Sequence, residues 1–157
     1  PRLNALIWTD IEGARARAKA ADDARARGES WGPLHGLPMT FKESYDIAGA
    51  PTTWGLPEYK DSRAERHSLP VQRFVDAGAI PFGKTNVPVM LADWQSFNPV
   101  YGTTNNPWDL SRTPGGSSGG SATPRITAAS SGTSRPGASV RRAATRCPAS
   151  SCRRTSP

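Results

Sequence analysis

The sequence predicts an α/β fold with a mainly parallel or mixed sheet covered by helices. Short apolar runs of strand length alternate along the chain with stretches of helical pattern, which is typical of layered α/β architectures. Glycines and prolines separate these stretches and mark the turns between them. The length of 157 residues suits one ordinary domain, and no internal repeat is visible.

The first part of the chain is predicted to hold two strands and a helix. Residues 4–8 form a short apolar run that is predicted to be a strand. A helix over 11–27 follows, with Asp10 as its N-cap and Gly28 at its end. Residues 39–42 form a short buried strand that ends in a lysine.

The second part alternates in the same way and then becomes irregular. Residues 49–66 are predicted to be a loop, and a helix over 70–77 begins with proline in its first turn. A strand over 79–82 follows, and then a turn and short helix over 86–92. Residues 95–120 are expected to be irregular because asparagine, proline, glycine and serine dominate them.

The positive charge of the chain is confined to its C-terminal part. The chain has 20 Lys and Arg against 13 Asp and Glu, a net charge of +7. Residues 124–157 hold seven arginines and no acid, no aromatic side chain and two large aliphatic ones. Such a segment cannot bury enough apolar surface to offset an ordering cost of about 1–2 kcal/mol per residue. We therefore expect a partial domain over 1–122 and a disordered basic tail over 123–157.

The sequence also bears on compartment and cofactors. No run of about 18 apolar residues suggests a membrane span, and no leader peptide is visible. Cys147 and Cys152 lie in the tail without CxxC spacing or nearby histidines, so no metal is expected. The cysteine-free body fits a reducing compartment and predicts a cytoplasmic protein. The start at Pro1 instead of Met suggests a fragment.

A glycine- and serine-rich segment is the strongest candidate for chemistry. Residues 114–121 read Pro-Gly-Gly-Ser-Ser-Gly-Gly-Ser, and their glycines would let backbone N–H groups converge on an oxyanion. The simpler interpretation of this segment is a flexible linker. A serine nucleophile needs a base, and neither His35 nor His67 lies in a nucleophile-elbow context. Lys42, after an apolar strand, could serve if burial lowers its pKa. Taken alone, it is more simply interpreted as a surface lysine at a strand end.

Four ordered blocks together indicate a family. Residues 32–42, 78–86, 101–108 and 114–121 resemble the amidase signature family in order and spacing. The resemblance covers about residues 1–122, and it implies a fragment of the amidase signature fold. It also implies amide hydrolysis through a serine acyl-enzyme with a Ser–cis-Ser–Lys triad. The resemblance further implies a small-molecule amide as the substrate and no cofactor. It also implies a possible homo-oligomer in the full-length family member.

Residue by residue, the resemblance assigns two members of the triad. Lys42 matches the catalytic lysine, and Ser117 matches the bridging serine that a cis peptide holds in place. Glu43 stands where many members have Asp, which leaves the triad roles unchanged. Four further residues are matched to the loop that would hold the substrate and its oxyanion: Gly115, Gly116, Ser118 and Gly119.

The nucleophile is the third member, and the chain departs from the family where it should lie. Residues 132–142 include Ser139 followed by Val-Arg, which is similar to the end of the family's nucleophile block. The acid and the paired glycines of that block are missing. Ser139 is therefore the tentative nucleophile, and the alternative is a catalytically inactive fragment. We also consider the hypothesis that the sequence from about residue 123 is translated out of frame.

Two remote alternatives remain. Residues 78–85 satisfy the Walker A pattern of ATP-binding loops, but a helix rather than a strand precedes them, and Lys84 is more simply a structural or substrate-side residue. The basic tail could attach to nucleic acid. Arginines without interleaved aromatics or a fold would bind it only nonspecifically, so no specific nucleic-acid partner is expected.

Overall fold

The computed structural model describes residues 3–123, and a three-stranded mixed sheet lies at their centre. Its strands are β1 (Leu6–Thr9), β2 (Pro38–Lys42) and β3 (Ile80–Thr85), in the order β1-β3-β2. The central strand β3 pairs antiparallel with β1 and parallel with β2. The predicted α/β fold with a mixed sheet is thereby confirmed.

The register between the parallel strands contains one irregularity. Met39 lies opposite Pro81, but the next residue, Thr40, lies opposite Gly83, so Phe82 is an extra residue on β3. The pairs beyond it are Phe41 with Lys84 and Lys42 with Thr85. An extra residue of this kind changes which side chains face each other for the remainder of the pair.

The long helix α1 (Ile11–Ala26) begins and ends as predicted. Asp10 accepts a hydrogen bond from the Gly13 N–H at 2.9 Å, which satisfies one of the free donors of the first turn. Gly28 follows the helix with a φ of +79°, in the left-handed region that favours glycine. The helix buries Ala21 and Ala24.

The second helix lies between the two parallel strands in the chain. It is α2 (Leu69–Asp76), with proline in its first turn, in agreement with the helix predicted over 70–77. Val71 is its buried residue. The helix packs over the core of the described residues, which consists of Phe41, Ile47, Ala50 and Val71, flanked by Trp8, Met39 and Val75.

Strand β3 is longer than the sequence predicts, because residues 83–85 continue it. The sequence places the end of the strand before Gly83, but the structure shows why a glycine is needed within it. A Cβ atom at this position would lie 2.9 Å from the backbone oxygen of Trp8 on the neighbouring strand. The glycine therefore allows β1 to pair closely with β3 and does not end the strand.

The region predicted to be irregular contains a short hairpin. Its strands, β4 (Phe97–Asn98) and β5 (Gly102–Thr103), pair with each other antiparallel. Two-residue strands give too little periodicity to be predicted. Short 3-10 turns lie at Pro57–Tyr59 and Val89–Leu91, and a helical turn begins over 119–123.

None of the helices within residues 3–123 is long and apolar enough to cross a membrane. The predictions made for residues 124–157, including Ser139, Cys147 and Cys152, lie outside the described residues.

Candidate active site

Lys42 and Ser117 meet at the carboxyl end of β2. The Lys42 Nζ donates a hydrogen bond to the Ser117 Oγ at 2.9 Å, although the two residues are 75 positions apart in the chain. Both residues are partly buried. Burial lowers the pKa of Lys42 below its usual value, because removing water disfavours the ammonium form. The amine is therefore shifted toward the neutral form that a base requires.

A second contact ties the same segment to the neighbouring strand. Thr85, at the end of β3, lies directly opposite Lys42 in the parallel pair. Its Oγ1 is 2.7 Å from the Oγ of Ser121, four residues after Ser117. The segment is thus bound by one side chain from each of two adjacent strand ends.

The glycines of this segment have two different structural roles. Gly115 and Gly116 have φ angles of +87° and +51°, and open space lies where their Cβ atoms would be. Gly119 and Gly120 instead permit close packing. A Cβ on Gly120 would lie 2.5 Å from the backbone nitrogen of Asn86. The flexible-linker interpretation of the segment is therefore wrong, since the latter pair packs directly against the folded chain.

The peptide geometry at Ser117 differs from the expectation. Every peptide bond between the described residues is trans, including the bonds of Ser117. A cis bond before a residue other than proline costs about 3–4 kcal/mol and persists only where surrounding atoms enforce it.

Two buried asparagines, Asn86 and Asn98, form a hydrogen-bond network next to the residues on which Gly120 packs. The Asn86 Nδ2 donates to the Gly102 oxygen and to the Thr104 Oγ1, each at 3.0 Å. Its Oδ1 accepts a hydrogen bond from the Asn98 Nδ2 at 2.8 Å. Asn98 in turn caps the hairpin turn by accepting from the N–H of Tyr101 at 2.7 Å. This network was not predicted, and the only signal for it in the sequence was the Thr-Asn pair at the end of β3.

Glu43 points away from Lys42, to the opposite face of the sheet. It is fully buried, and its carboxylate accepts hydrogen bonds from the N–H groups of Thr53 and Trp54 at 2.5 and 3.1 Å. The Tyr101 hydroxyl also donates to it, at 3.2 Å. Burial raises the pKa of Tyr101 to about 12, and the Glu43 charge adds to this effect. Glu43 thus anchors a loop.

Lys84 is a buried structural residue. Its Nζ donates to the backbone oxygen of Pro51 and, at 2.8 Å, to the Thr52 hydroxyl. Burial lowers the pKa of Lys84 to about 8, although the charges of Glu43 and Asp46 oppose that change. Lys84, on β3, and Glu43, directly after β2, together hold residues 51–54.

The Walker A alternative is contradicted by this geometry. The residues that should wrap phosphates form the strand β3, and the lysine that should reach them is buried under residues 51–52. A phosphate-binding loop needs exposed backbone N–H groups after a strand. ATP binding through residues 78–85 is therefore excluded.

The two histidines are occupied by backbone contacts. The Nδ1 of His35 accepts from the N–H of Trp31 at 3.0 Å, and its Nε2 lies 3.0 Å from the Ala21 oxygen. The His67 Nδ1 accepts from the N–H of Ala48 at 3.1 Å. Within the part of the chain that the structure describes, the side chain that binds the Ser117 hydroxyl is Lys42.

A cavity of about 280 Å³ opens beside Ser117. It is lined on the other side by residues 91–94, which supply two apolar side chains, one carboxylate and the indole of Trp94. Met90 and Leu91 have φ angles of 53° and 61° at the start of this lining. Such left-handed backbone is uncommon outside glycine and concentrates at binding sites.

The structure brings Lys42 and Ser117 into contact. The other predicted loop residues flank Ser117 in the chain, their predicted role stays a prediction, and the cavity next to Ser117 was not foreseen. The tentative nucleophile, Ser139, lies outside the described residues. The loop residues in question are Gly115, Gly116, Ser118 and Gly119.

The fold and the site define a member of a known enzyme class. The family model described as Amidase matches residues 1–153. The chain belongs to the Amidase family. This match is longer than the resemblance seen in the sequence, which covers about residues 1–122. The division into a partial domain over 1–122 and a tail stays a prediction.

Relatives of known sequence agree with this assignment. The chain is 44% identical over 120 residues to the indoleacetamide hydrolase of Bradyrhizobium diazoefficiens, covering 76% of this chain and 23% of the relative. It is 41% identical over 122 residues to a glutamyl-tRNA(Gln) amidotransferase component of Acidothermus cellulolyticus, covering 78% and 24%. The chain thus spans about a quarter of the length of these relatives.

Solved structures agree as well. The peptide amidase from Stenotrophomonas maltophilia superposes with a TM-score of 0.71 at 34% identity, covering 78% of this chain and 26% of that one. A chain from a vestigial protein complex, described for the evolutionary origins of an s-triazine catabolic enzyme, superposes with a TM-score of 0.72 at 40% identity, covering 77% and 27%. The described residues therefore share the fold of amidase family enzymes.

Proposed function

We propose that this chain is an amidase that hydrolyses a non-peptide carboxamide through a serine acyl-enzyme, with Lys42 as the base, Ser117 as the relay and Ser139 as the nucleophile. The observation that carries the proposal is the 2.9 Å contact between the Lys42 Nζ and the Ser117 Oγ. A serine hydroxyl becomes nucleophilic only when a neighbouring group accepts its proton. A partly buried lysine with a lowered pKa is suited to that task.

The proposed reaction moves one proton along two hydroxyls. The nucleophilic serine gives its proton to the Ser117 Oγ as its own oxygen bonds to the amide carbon. Ser117 gives its hydroxyl proton to the neutral Lys42 amine. When the carbon–nitrogen bond breaks, the same path returns a proton to the departing amine. A water molecule then attacks the acyl-enzyme and releases the carboxylic acid.

The substrate proposal rests on the cavity and on the relatives. The cavity beside Ser117 is bordered by residues 91–94, including the indole of Trp94, and it suits a small amide with an apolar or aromatic group. One relative is named for hydrolysis of indoleacetamide, which makes indole-3-acetamide the first compound to test. The cysteine-free residues 1–123 favour a cytoplasmic setting for this activity.

The second candidate is an inactive fragment. Its support is the departure of residues 132–142 from the family's nucleophile block, which leaves Ser139 without its acid and paired glycines. The hypothesis of an out-of-frame segment from about residue 123 would explain that departure. Sequencing the gene tests it directly: a one-base shift should restore a Gly-Gly-Ser block, and failure to find one in either shifted frame rejects the idea.

Active-site labelling separates the two candidates. The full 157-residue chain is treated with a fluorophosphonate probe, and the modified residue is identified by peptide mass spectrometry. The proposal expects a labelled serine at Ser139, with ammonia released from indole-3-acetamide. Lys42→Met and Ser117→Ala should each reduce labelling by about 10²-fold or more, the usual share of general acid–base catalysis.

A matched variant controls for the loss of a lysine. Lys60 is an exposed lysine in the loop after β2, so Lys60→Met should label like the wild-type chain. A folded chain that shows no labelled serine at all would reject the amidase proposal and support the inactive fragment.

A further inference from the structure

The hydroxyls of Thr85 and Ser121 form a bridge that the proposed reaction does not use. Thr85 is fully buried at the end of β3, and its Oγ1 lies 2.7 Å from the Ser121 Oγ. The same Oγ1 donates to the backbone oxygen of Phe41 at 3.3 Å. Phe41 directly precedes Lys42, so the bridge reaches the peptide that carries the proposed base.

The short contact between the two hydroxyls is kept in either arrangement of their protons. Thr85 has one hydroxyl proton, and a backbone carbonyl oxygen can only accept. When Thr85 gives that proton to Phe41, Ser121 donates to the Thr85 oxygen. When Thr85 donates to Ser121 instead, the 2.7 Å bond remains and the 3.3 Å bond to Phe41 is lost.

The bridge acts on the same helical turn that follows Ser117. The N–H groups of Ser121 and Ala122 donate to the Ser118 oxygen at 2.9 and 3.1 Å, and the N–H of Gly119 donates to the Gly116 oxygen at 3.3 Å. These bonds link the residues on both sides of Ser117 to Ser121. A displacement of Ser121 from Thr85 would therefore move Ser117 relative to Lys42.

We propose that Thr85 and Ser121 are positioning residues that hold the Ser117 hydroxyl at hydrogen-bonding distance from Lys42. Lys42 and Thr85 are opposite each other in the sheet, and each binds one of two serines four residues apart. These two hydrogen bonds add to the close packing of Gly119 and Gly120, and the one at Ser121 lies on the helical turn directly after Ser117. This proposal rests on the proposed function, because the position of Ser117 matters for catalysis only if Ser117 relays a proton to Lys42. The positioning itself can be tested without measuring amide hydrolysis.

Two measurements on the full chain test this positioning role. The first is the rate of amide hydrogen exchange at residues 119–122, which reports local opening of the turn. The second is the pH profile of Lys42 acetylation by acetic anhydride, read by peptide mass spectrometry. Thr85→Val keeps the shape of the side chain but cannot accept or donate a hydrogen bond.

Thr85→Val should raise exchange at residues 119–122 by about tenfold, the factor that corresponds to one lost hydrogen bond. It should also move the midpoint of Lys42 acetylation to higher pH, because the amine becomes more hydrated when the loop moves away. Thr85→Ser restores the hydroxyl and should return both values toward wild type. Thr9→Val is the matched control, since Thr9 is an exposed threonine on the same sheet.

Ser121→Ala provides a second variant in case Thr85→Val does not fold, because Ser121 is only partly buried. It removes the hydroxyl at the other end of the bridge and should change both measurements in the same direction. Unchanged exchange and an unchanged Lys42 profile in Ser121→Ala would overturn the proposal. Loss of serine labelling in every chain, wild type included, would reject the proposed function while leaving this test intact.

Discussion

Lys42 and Thr85 lie opposite each other at the carboxyl ends of two parallel strands, and each binds one serine of the same loop. Side chains of directly opposed strand residues face the same side of a sheet. The neighbouring residues, Glu43 and Lys84, therefore face the other side, where they hold residues 51–54. The candidate active-site residues therefore lie on one side of the sheet, and the residues that hold the loop over 51–54 lie on the other.

The pH dependence of serine labelling should follow the protonation of Lys42. A base must be neutral to accept a proton, so the labelling rate should rise with pH and level off above the pKa of Lys42. Burial places that pKa below the usual lysine value. The rate of labelling by the fluorophosphonate probe, measured from about pH 6 to 11 on either side of the ordinary lysine pKa, checks this prediction. A rate that falls with rising pH would contradict the assigned role.

The buried Lys84 should make the chain more stable at alkaline pH. Its pKa is about 8 in the folded chain against the ordinary 10.5, so the unfolded chain binds more protons between these values. Stability therefore rises with pH through this window and is lowest below about pH 8. The difference corresponds to about 3 kcal/mol of the free energy of unfolding.

Urea unfolding at several pH values between about 7 and 11 measures this dependence. The Lys84→Met variant should lose the part of the rise that Lys84 causes, because it has no proton to release there, and should keep the part that the lowered pKa of Lys42 causes, although its absolute stability also falls. Lys60→Met should keep the rise. An equal rise in the Lys84→Met and wild-type chains would mean that another group causes it.

Gly120→Ala should destabilise the chain because there is no room for a methyl group. The added Cβ would lie 2.5 and 2.6 Å from backbone atoms of Asn86, and backbone cannot move aside as a flexible side chain can. Overpacking of this kind costs about 1–3 kcal/mol. The matched variant is Gly28→Ala, where space is open but φ is +79°.

Thermal unfolding of both glycine variants separates the two effects. Gly28→Ala reports the cost of left-handed backbone alone, about 1–2 kcal/mol, and should leave exchange at residues 119–122 unchanged. Gly120→Ala should accelerate exchange there. If it does not, the helical turn does not pack on Asn86 in solution.

Asn86→Asp should be strongly destabilising although the two side chains have the same shape. The substitution replaces an amide that donates to Gly102 and Thr104 by a carboxylate that cannot donate when ionised. One carboxylate oxygen would keep the Asn98 donor, but the other would face two acceptors, and a buried charge that is not fully compensated costs several kcal/mol. Asn106→Asp, at a partly exposed asparagine, is the control, and equal melting temperatures for the two variants would argue against the network.

The pair formed by Lys42 and Ser117 could be predicted because both residues lie in sequence blocks shared with a family. The helix boundaries at Asp10 and Gly28 were also predictable, since capping depends on local residue types. Lys84 was ambiguous, because its burial depends on strand alternation and on a distant loop that contains Pro51. The bridge between β3 and Ser121 could not be predicted, since its geometry arises only when the strands are in register.

The extra residue at Phe82 has a consequence for the register. Without it, the pairing that starts at Met39 and Pro81 would continue in step, and Lys42 would lie opposite Lys84. Two ammonium groups would then compete for the same side of the sheet, and like charges directly opposed are destabilising. One inserted residue therefore keeps the two lysines on different sides, so that one can be buried permanently while the other remains available to exchange protons.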